Sequence, residues 1–187
     1  MKCAGFVLAG GKSSRMGSDK ALLKINGITL VQHVAEQVYQ AVGNVTLVGD
    51  PEQYSNLSYP VIRDIFPARG PLSGIHAALA ASHTQWNLVV ACDMPEVTTA
   101  FLTQLIERAQ CGRSHAVIPA GPSGRPEPLC AAYNRGALDA IAHALECGIR
   151  KVMDGLMGLD IDLWPVPDAR QFHNLNTPAE WAGYPHG

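Results

Sequence analysis

The chain has 187 residues, of which 47% are hydrophobic and 16% are charged. This length fits one domain over residues 1–187 with a core of its own, and the apolar share is typical of a compact α/β protein. The formal net charge of −2 excludes general nucleic-acid binding, which requires a basic face, whereas a small anionic ligand needs only a local group of cations.

The cysteines and the apolar runs exclude several further protein classes. The five cysteines stand far apart and form no C-x-x-C pair, which argues against a disulfide framework and a structural zinc site. No segment approaches the ~20 apolar residues of a membrane span. The N-terminal apolar stretch is at the lower limit of the length of a signal-peptide core, and no small-residue cleavage site follows it. We therefore expect a soluble, cytoplasmic protein without a membrane partner or a nucleic-acid partner.

Short apolar runs that predict strands alternate with stretches of helical periodicity. The first strand is predicted at CAGFVLA, ending at Gly10, and the first helix lies between Thr29 and Gly43. The clearest strand is WNLVVACD, an apolar run stopped by Asp93. The other predicted elements, in chain order, are strands at 45–49 and 59–64, helices at 71–82 and 98–112, strands at 115–120 and 128–133, helices at 135–148 and 150–158, a strand at 160–166, and a final helix capped by Thr177, Pro178 and Glu180.

Strands separated by helices predict a three-layer α/β/α sandwich around a mainly parallel, Rossmann-like sheet. In such sheets the ligands bind at the carboxyl ends of the strands. Both the loop that follows the first strand and Asp93 fall at that edge. We therefore expect these two features to form one site.

The loop LAGGKSSRMGSDK, residues 8–20, has the composition of a phosphate-binding loop. Its Gly-Lys-Ser lies one residue too far from the preceding glycine for a Walker P-loop, and it lacks the G-x-G-x-x-G of a dinucleotide fold. Gly10 and Gly11 can bring backbone amides close to an anion, while Arg15 and Lys20 supply cations for a triphosphate. The alternative is a solvated basic loop.

The pattern L-A-G-G-x-S-x-R-M-G-x-D-K-A-L resembles the signature of nucleotidyltransferases with the nucleotide-diphospho-sugar transferase fold. Within that group it is most similar to the molybdenum cofactor guanylyltransferase family. The later segments that agree in order and spacing are GPLSGIHAAL, ACDMP and FHNLNTP, together with RPEPLCAAY. The resemblance therefore spans nearly the whole chain.

This resemblance implies a reaction, its substrates and its partners. GMP is transferred from GTP to the terminal phosphate of molybdopterin, with molybdenum already on the pterin in bacteria, and pyrophosphate is released. Mg²⁺ is the implied cofactor, and a molybdenum insertase and recipient molybdoenzymes are the implied protein partners. The attacking phosphate monoester is ionised at neutral pH, so no enzyme nucleophile is required, and the sequence shows no Ser-His-Asp or Cys-His arrangement.

Asp93 can reach a metal ion that bridges the phosphates, because it ends the clearest strand, although a turn-forming role before Pro95 is the alternative. Asp64 matches the nucleotide-binding aspartate of the family, and its alternative is a strand-end turn residue. The implied catalytic residues are Arg15, Lys20 and Asp93, with Asp93 as the metal ligand. The implied nucleotide-binding residues are Leu8, Ala9, Gly10, Gly11, Lys20, Asp64 and Asp93.

The candidates for the pterin side are less specific. They include a small-residue segment that could form a wall beside the site and a basic pair for the incoming phosphate, whose alternative is a charged helix start. The candidates are Pro71, Leu72, Ser73, Gly74, Arg150, Lys151, Asn174 and Asn176, with Arg125 of similar status. Asn174 and Asn176 stand where related enzymes have a second metal-binding aspartate, and they can orient substrate phosphate or water. The alternative is a plain loop ahead of the capped final helix.

The sequence departs from the family at Gly49, where an asparagine is common. Guanine recognition is therefore expected to use backbone groups or Asp64. Two classes of alternative stay open: another nucleotidyltransferase, acting with CTP or on a sugar or cobinamide phosphate, and a non-catalytic nucleotide-binding module. Such a module would tolerate loss of Arg15, Lys20 or Asp93, and all three are present.

Overall fold

The structure is a computed structural model that describes residues 3–9, 20–25, 27–66, 69–175, 180, 183 and 184. Structural statements below concern these residues. Arg15, Gly10, Gly11 and Asn176 lie outside them, as do Thr177 and Pro178 of the predicted final helix cap. The prediction of one domain over residues 1–187 stays a prediction.

Nine strands and five α-helices alternate along the described chain. The strands are β1 Cys3–Leu8, β2 Lys24–Ile25, β3 Ile28–Thr29, β4 Thr46–Val48, β5 Val61–Ile62, β6 Trp86–Ala91, β7 Ala116–Ala120, β8 Cys130–Asn134 and β9 Ile161–Pro165. The helices are α1 Leu30–Val42, α2 Pro71–Ala81, α3 Thr99–Cys111, α4 Leu138–Glu146 and α5 Val152–Gly155. The short hairpin of β2 and β3 is the element that periodicity missed, because two-residue strands carry no pattern.

Seven strands form the central sheet in the order β5-β4-β1-β6-β8-β7-β9. β8 runs antiparallel to β6 and β7, and the other pairings are parallel. The sheet is therefore mainly parallel, as the alternation of elements predicted. The carboxyl ends of β1, β4, β5, β6, β7 and β9 all lie at one edge, which we call the carboxyl edge.

Helices cover both faces of the sheet. Val7 of β1 packs in a core with α1 and α3, whereas its neighbour Leu8 packs in a second core with α2, α4 and α5. This alternation follows from the two-residue period of a strand, which turns successive side chains to opposite faces. The predicted three-layer sandwich is confirmed. No helix in the described ranges has both the length and the apolar character needed to cross a membrane.

The first helix shows how closely local sequence fixes its ends. Thr29 and Gln32 form a reciprocal capping box at its start. Gly43 ends it in the left-handed region, with φ of 76°, and its amide donates to the carbonyl of Tyr39. The predicted limits at Thr29 and Gly43 are confirmed, and α1 leads the chain back to the sheet at β4.

Candidate active site

The carboxyl edge holds an ion pair between two of the predicted site residues. Lys20 Nζ lies 2.7 Å from Asp93 Oδ2, and the two side chains are 14% and 19% exposed. Asp93 follows β6 by two residues, and Lys20 begins a short 3-10 helix, Lys20–Leu22, that packs against α1. The fold therefore brings a cation from the predicted phosphate loop to the carboxylate that ends the clearest strand.

The end of β1 is joined by backbone hydrogen bonds to the ends of both β6 and β4 at this point. The amide of Cys92 donates to the carbonyl of Leu8, and the amide of Ala9 donates to the carbonyl of Val48. The Ala9 carbonyl accepts a hydrogen bond from the hydroxyl of Tyr54. The amide and carbonyl of Ala9, which the resemblance assigns to nucleotide binding, are thus also bonded within the fold.

Asn174 lies beside Asp93 in the folded chain. The amide of the next residue, Leu175, donates to the Asp93 carbonyl over 3.0 Å. The Asn174 Oδ1 atom is buried and has no hydrogen-bond partner in the part of the chain that the structure describes. A buried acceptor without a donor is costly, so this oxygen is suited to bind a metal ion, a water molecule or a ligand donor.

This pair of oxygen donors fits Mg²⁺. Mg²⁺ is usually held in phosphate-transfer sites by one or two carboxylates, with substrate phosphates and water as the other ligands. Asp93 supplies a carboxylate, and Asn174, whose neighbour Leu175 bonds the Asp93 carbonyl, supplies an amide oxygen. Within the described ranges, no cluster of three or more histidine, cysteine or acidic side chains offers a closed protein metal cage.

Asp64 is tied to the start of α2. Its Oδ1 accepts from the Phe66 amide at 2.8 Å, and its Oδ2 accepts from the Ser73 hydroxyl. The first contact is the turn interaction that we gave as the alternative role, and the second fixes the orientation of the carboxylate. Each carboxylate oxygen can accept more than one hydrogen bond, so Asp64 retains capacity for a ligand donor.

The small-residue segment at the start of α2 is largely internal, which limits its predicted role as a wall for the pterin. Pro71 is exposed, whereas Leu72, Ser73 and Gly74 are buried. Gly74 lets α2 approach β1, because a Cβ atom there would lie 3.1 Å from Leu8 Cδ2. The structure therefore leaves the side chains of Leu72 and Ser73 unavailable to a substrate.

The predicted basic pair lies next to the start of α2. Arg150 and Lys151 are both exposed, and a Cβ atom on Gly70 would lie 3.4 Å from the Arg150 carbonyl oxygen. Since Gly70 caps α2 and α2 begins beside Asp64, the pair belongs to the same side of the carboxyl edge as Asp64. Its two charges are available to an anion.

The loop between β7 and β8 lies farther along the same edge. The Arg125 side chain is 80% exposed, and its Nε lies 3.7 Å from Glu127 Oε1. Burial raises the pKa of Glu127, and the charge of Arg125 opposes part of that rise. The carbonyl of Leu129 accepts from the Ala91 amide, which places this loop beside the end of β6. Arg125 is therefore close to the carboxyl edge.

Sequence reasoning missed one buried titratable group beside the predicted nucleotide site. His76 of α2 is 8% exposed, packs edge-on against Phe66 with ring centroids 5.0 Å apart, and leaves its Nδ1 without a partner among the described residues. Burial lowers the pKa of His76, and the nearby Asp64 charge opposes that shift. A lone histidine on a helix carries no sequence signal for this placement.

Comparison with known proteins decides the family. A family model described as "MobA-like NTP transferase domain" matches residues 5–160. The chain belongs to this family. Two relatives named "Probable molybdenum cofactor guanylyltransferase" match over most of their length. The one from Flavobacterium johnsoniae is 30% identical and covers 94% of this chain and 92% of its own. The relative from Pelotomaculum thermopropionicum is 32% identical, and the match covers 96% of this chain and 90% of that relative.

The structure of this MobA-like NTP transferase also matches a solved one. Molybdopterin-guanine dinucleotide biosynthesis protein A from Archaeoglobus fulgidus superposes with a TM-score of 0.83 and 31% identity, over 96% of this chain and 95% of that one. The resemblance predicted from the motifs is therefore confirmed, as is the fold it implied. The roles of the individual site residues stay predictions.

Proposed function

We propose that this MobA-like NTP transferase transfers GMP from GTP to the terminal phosphate of molybdopterin. A phosphate oxygen of the pterin forms the new bond to the α-phosphorus of GTP, and the bond from that phosphorus to the β-phosphate oxygen breaks. Pyrophosphate leaves with the electron pair. The names of the relatives support this reaction, and the contact between Lys20 and Asp93 at the carboxyl edge is the structural observation that carries it.

The residues of the site suit this chemistry because they position and neutralise charge. Lys20 can exchange its contact with Asp93 for a phosphate oxygen, which keeps the ammonium paired while the triphosphate is held. The attacking phosphate is already anionic, so the site needs no general base. Arg15 would fork onto the phosphates from the loop between Ala9 and Lys20.

Asp93 and Asn174 are the residues that would hold Mg²⁺ when the nucleotide is bound. The ion would supply charge neutralisation at the phosphate oxygens. Asp93 provides the anionic ligand, and the buried Oδ1 of Asn174 gains the partner it lacks among the described residues. Asn176, two residues further along, is proposed to act with Asn174 toward substrate phosphate or water.

Guanine selection is proposed to depend on Asp64. Guanine presents an N1–H and an exocyclic amine, both donors, whereas adenine has an acceptor at N1. A carboxylate fixed by Ser73 and the Phe66 amide can accept from both donors of guanine, whereas the N1 acceptor of adenine would face a carboxylate oxygen unpaired. Hydrogen-bonding sites of this type discriminate better than fit alone. We therefore propose GTP as the preferred nucleotide over ATP and CTP.

Release of pyrophosphate tests the reaction and the base preference together. The four nucleoside triphosphates are compared with Mg²⁺, each with and without molybdopterin. The proposal expects release with GTP that depends on molybdopterin, and little release with ATP or CTP. Faster release with CTP would assign the chain to the cytosine form of the reaction, and nucleotide binding without turnover would favour a binding module.

A further inference from the structure

Tyr54 and Gly49 form an internal contact at the end of β4 that the proposed reaction has not used. Tyr54 is 1% exposed, and its hydroxyl donates to the carbonyl of Ala9. A Cβ atom on Gly49 would lie 2.6 Å from Tyr54 Cε2 and 3.2 Å from Cδ2. The tyrosine ring therefore occupies the space that any side chain at position 49 would enter.

Space, not backbone conformation, requires the glycine at position 49. Its φ is not among the positive values, which belong to glycines such as Gly43 and Gly70. Its amide donates to the carbonyl of Ile62 over 2.9 Å, an ordinary parallel-strand contact that any residue except proline could make. Any side chain at position 49 would collide with the ring, so the glycine at this position has a structural partner in Tyr54.

Tyr54 is itself held firmly at its backbone. Its amide donates to the Asp50 carbonyl over 3.2 Å, and its carbonyl accepts from the Leu57 amide over 3.0 Å. The turn that follows β4 thus presents the ring to β1 from a fixed base. The described group through which this buried side chain can act on a ligand is the Ala9 carbonyl, to which its hydroxyl donates.

Ala9 is the last described residue before the segment 10–19, which carries the predicted phosphate loop. Ala9 is also one of the residues that the resemblance assigns to nucleotide binding, so a fixed Ala9 carbonyl fixes backbone beside the proposed nucleotide. We infer that Tyr54 is a positioning residue of the nucleotide site, that it acts by holding the Ala9 carbonyl, and that Gly49 is small in order to admit its ring. The inference rests on the proposed function only in that the nucleotide binds beside Ala9.

A consequence concerns base recognition. With the ring in place, no side chain at position 49 can contact the base. Base contacts at this point therefore fall to backbone groups and to Asp64. Tyr54 and Gly49 should then behave as a coupled pair when nucleotide affinity is measured.

The test measures dissociation constants for Mg-GTP, Mg-CTP and Mg-tripolyphosphate, together with the unfolding temperature of each ligand-free protein. Tyr54→Phe removes only the hydroxyl, and Gly49→Ala adds only the Cβ atom that meets the ring. Tyr133→Phe is the matched control, because Tyr133 is fully buried and its hydroxyl also donates to a backbone carbonyl, that of Pro128, at 2.7 Å.

We expect Tyr54→Phe to raise the dissociation constant of the bound nucleotide by roughly three- to tenfold, the range that corresponds to one hydrogen bond. Tyr133→Phe should lower the unfolding temperature and leave that constant unchanged. Gly49→Ala should also weaken binding, but should add little in the Tyr54→Phe background, since the hydrogen bond is already lost there.

Three results would overturn the inference. Tyr54→Phe could bind the nucleotide as the wild type does, both tyrosine variants could weaken binding alike, or the effects of Gly49→Ala and Tyr54→Phe could be fully additive. A wild type that prefers CTP to GTP would contradict the proposed reaction alone. The role of Tyr54 would then be tested with the dissociation constants for Mg-CTP. A wild type that binds none of the three ligands would contradict both.

Discussion

Lys20 Nζ lies 2.7 Å from Asp93 Oδ2, although 73 residues of sequence separate them. Without a ligand, the cation proposed for the phosphates and the carboxylate proposed for the metal neutralise each other. When a Mg²⁺–nucleotide binds, anionic phosphate can replace Asp93 as the partner of Lys20, and the Mg²⁺ cation can replace Lys20 as the partner of Asp93. The ion pair therefore keeps two charged side chains in place at the carboxyl edge before the nucleotide arrives.

Asp93→Asn should reduce turnover by at least about a hundredfold, because the neutral amide is a poor Mg²⁺ ligand where charge must be neutralised. The amide has nearly the size of the carboxylate, and Asp93 lies at a strand end outside the core, so the fold should persist. Initial rates measured against Mg²⁺ concentration test the loss of turnover, and circular dichroism tests whether the fold persists. Turnover near that of the wild type would refute the metal role.

Lys20→Met should weaken binding of Mg-GTP by about ten- to a hundredfold, the range expected for a charge-assisted hydrogen bond. Methionine retains much of the apolar stem and removes the charge. The readout is the thermal shift with Mg-GTP. Lys24→Met is the control, since Lys24 is an exposed lysine on β2. Arg15→Ala should act in the same direction as Lys20→Met. Thermal shifts equal to that of the wild type in both variants would favour the alternative, a solvated basic loop without a role in phosphate binding.

Ser73→Ala should raise the dissociation constant for GTP by roughly two- to tenfold, because Asp64 loses the hydroxyl that orients its Oδ2. Ser82→Ala is a matched control at the other end of α2, where a buried hydroxyl lies near Thr84. It should leave GTP binding unchanged. Equal effects of the two variants would show that Ser73 acts on the stability of α2 and not on Asp64.

Several features of the fold follow directly from local sequence, whereas the site depends on long-range contacts. The ends of α1 could be predicted because Thr29 and Gly43 carry their own capping chemistry. The burial of Leu72 and Ser73 could not, since their neighbours are Gly155 and Asp64, from other parts of the chain.

The contact between Lys20 and Asp93 could be predicted from the sequence only in part. Parallel strands place their carboxyl ends at one edge, so a loop after β1 and a carboxylate after β6 were expected to meet. The hydrogen bond of Tyr54 could not be predicted, because the sequence around an isolated aromatic residue in a turn does not indicate which distant carbonyl its hydroxyl will contact. Gly49 showed a departure from the family, and the ring that explains it is visible only in the fold.

Replacing Arg150 and Lys151 together by alanine should raise the KM for molybdopterin about tenfold and leave the KM for GTP unchanged, because the pair is exposed and available to the incoming phosphate. Arg113→Ala is the control. Arg113 is also exposed, but it precedes β7 and therefore lies at the opposite edge of the sheet. A parallel rise in the KM for GTP would place the pair at the nucleotide and not at the pterin.

We propose that GMP, and not a phosphate, passes from GTP to molybdopterin at the Lys20–Asp93 site. Transfer of label from GTP tests it directly, with GTP labelled at the α-phosphorus or at the γ-phosphorus, in wild type and Asp93→Asn. We expect α-label to appear in a pterin dinucleotide and γ-label only in pyrophosphate, and we expect both products to be nearly lost in Asp93→Asn. Label from the γ-phosphorus in the pterin product, or full α-label transfer by Asp93→Asn, would contradict it.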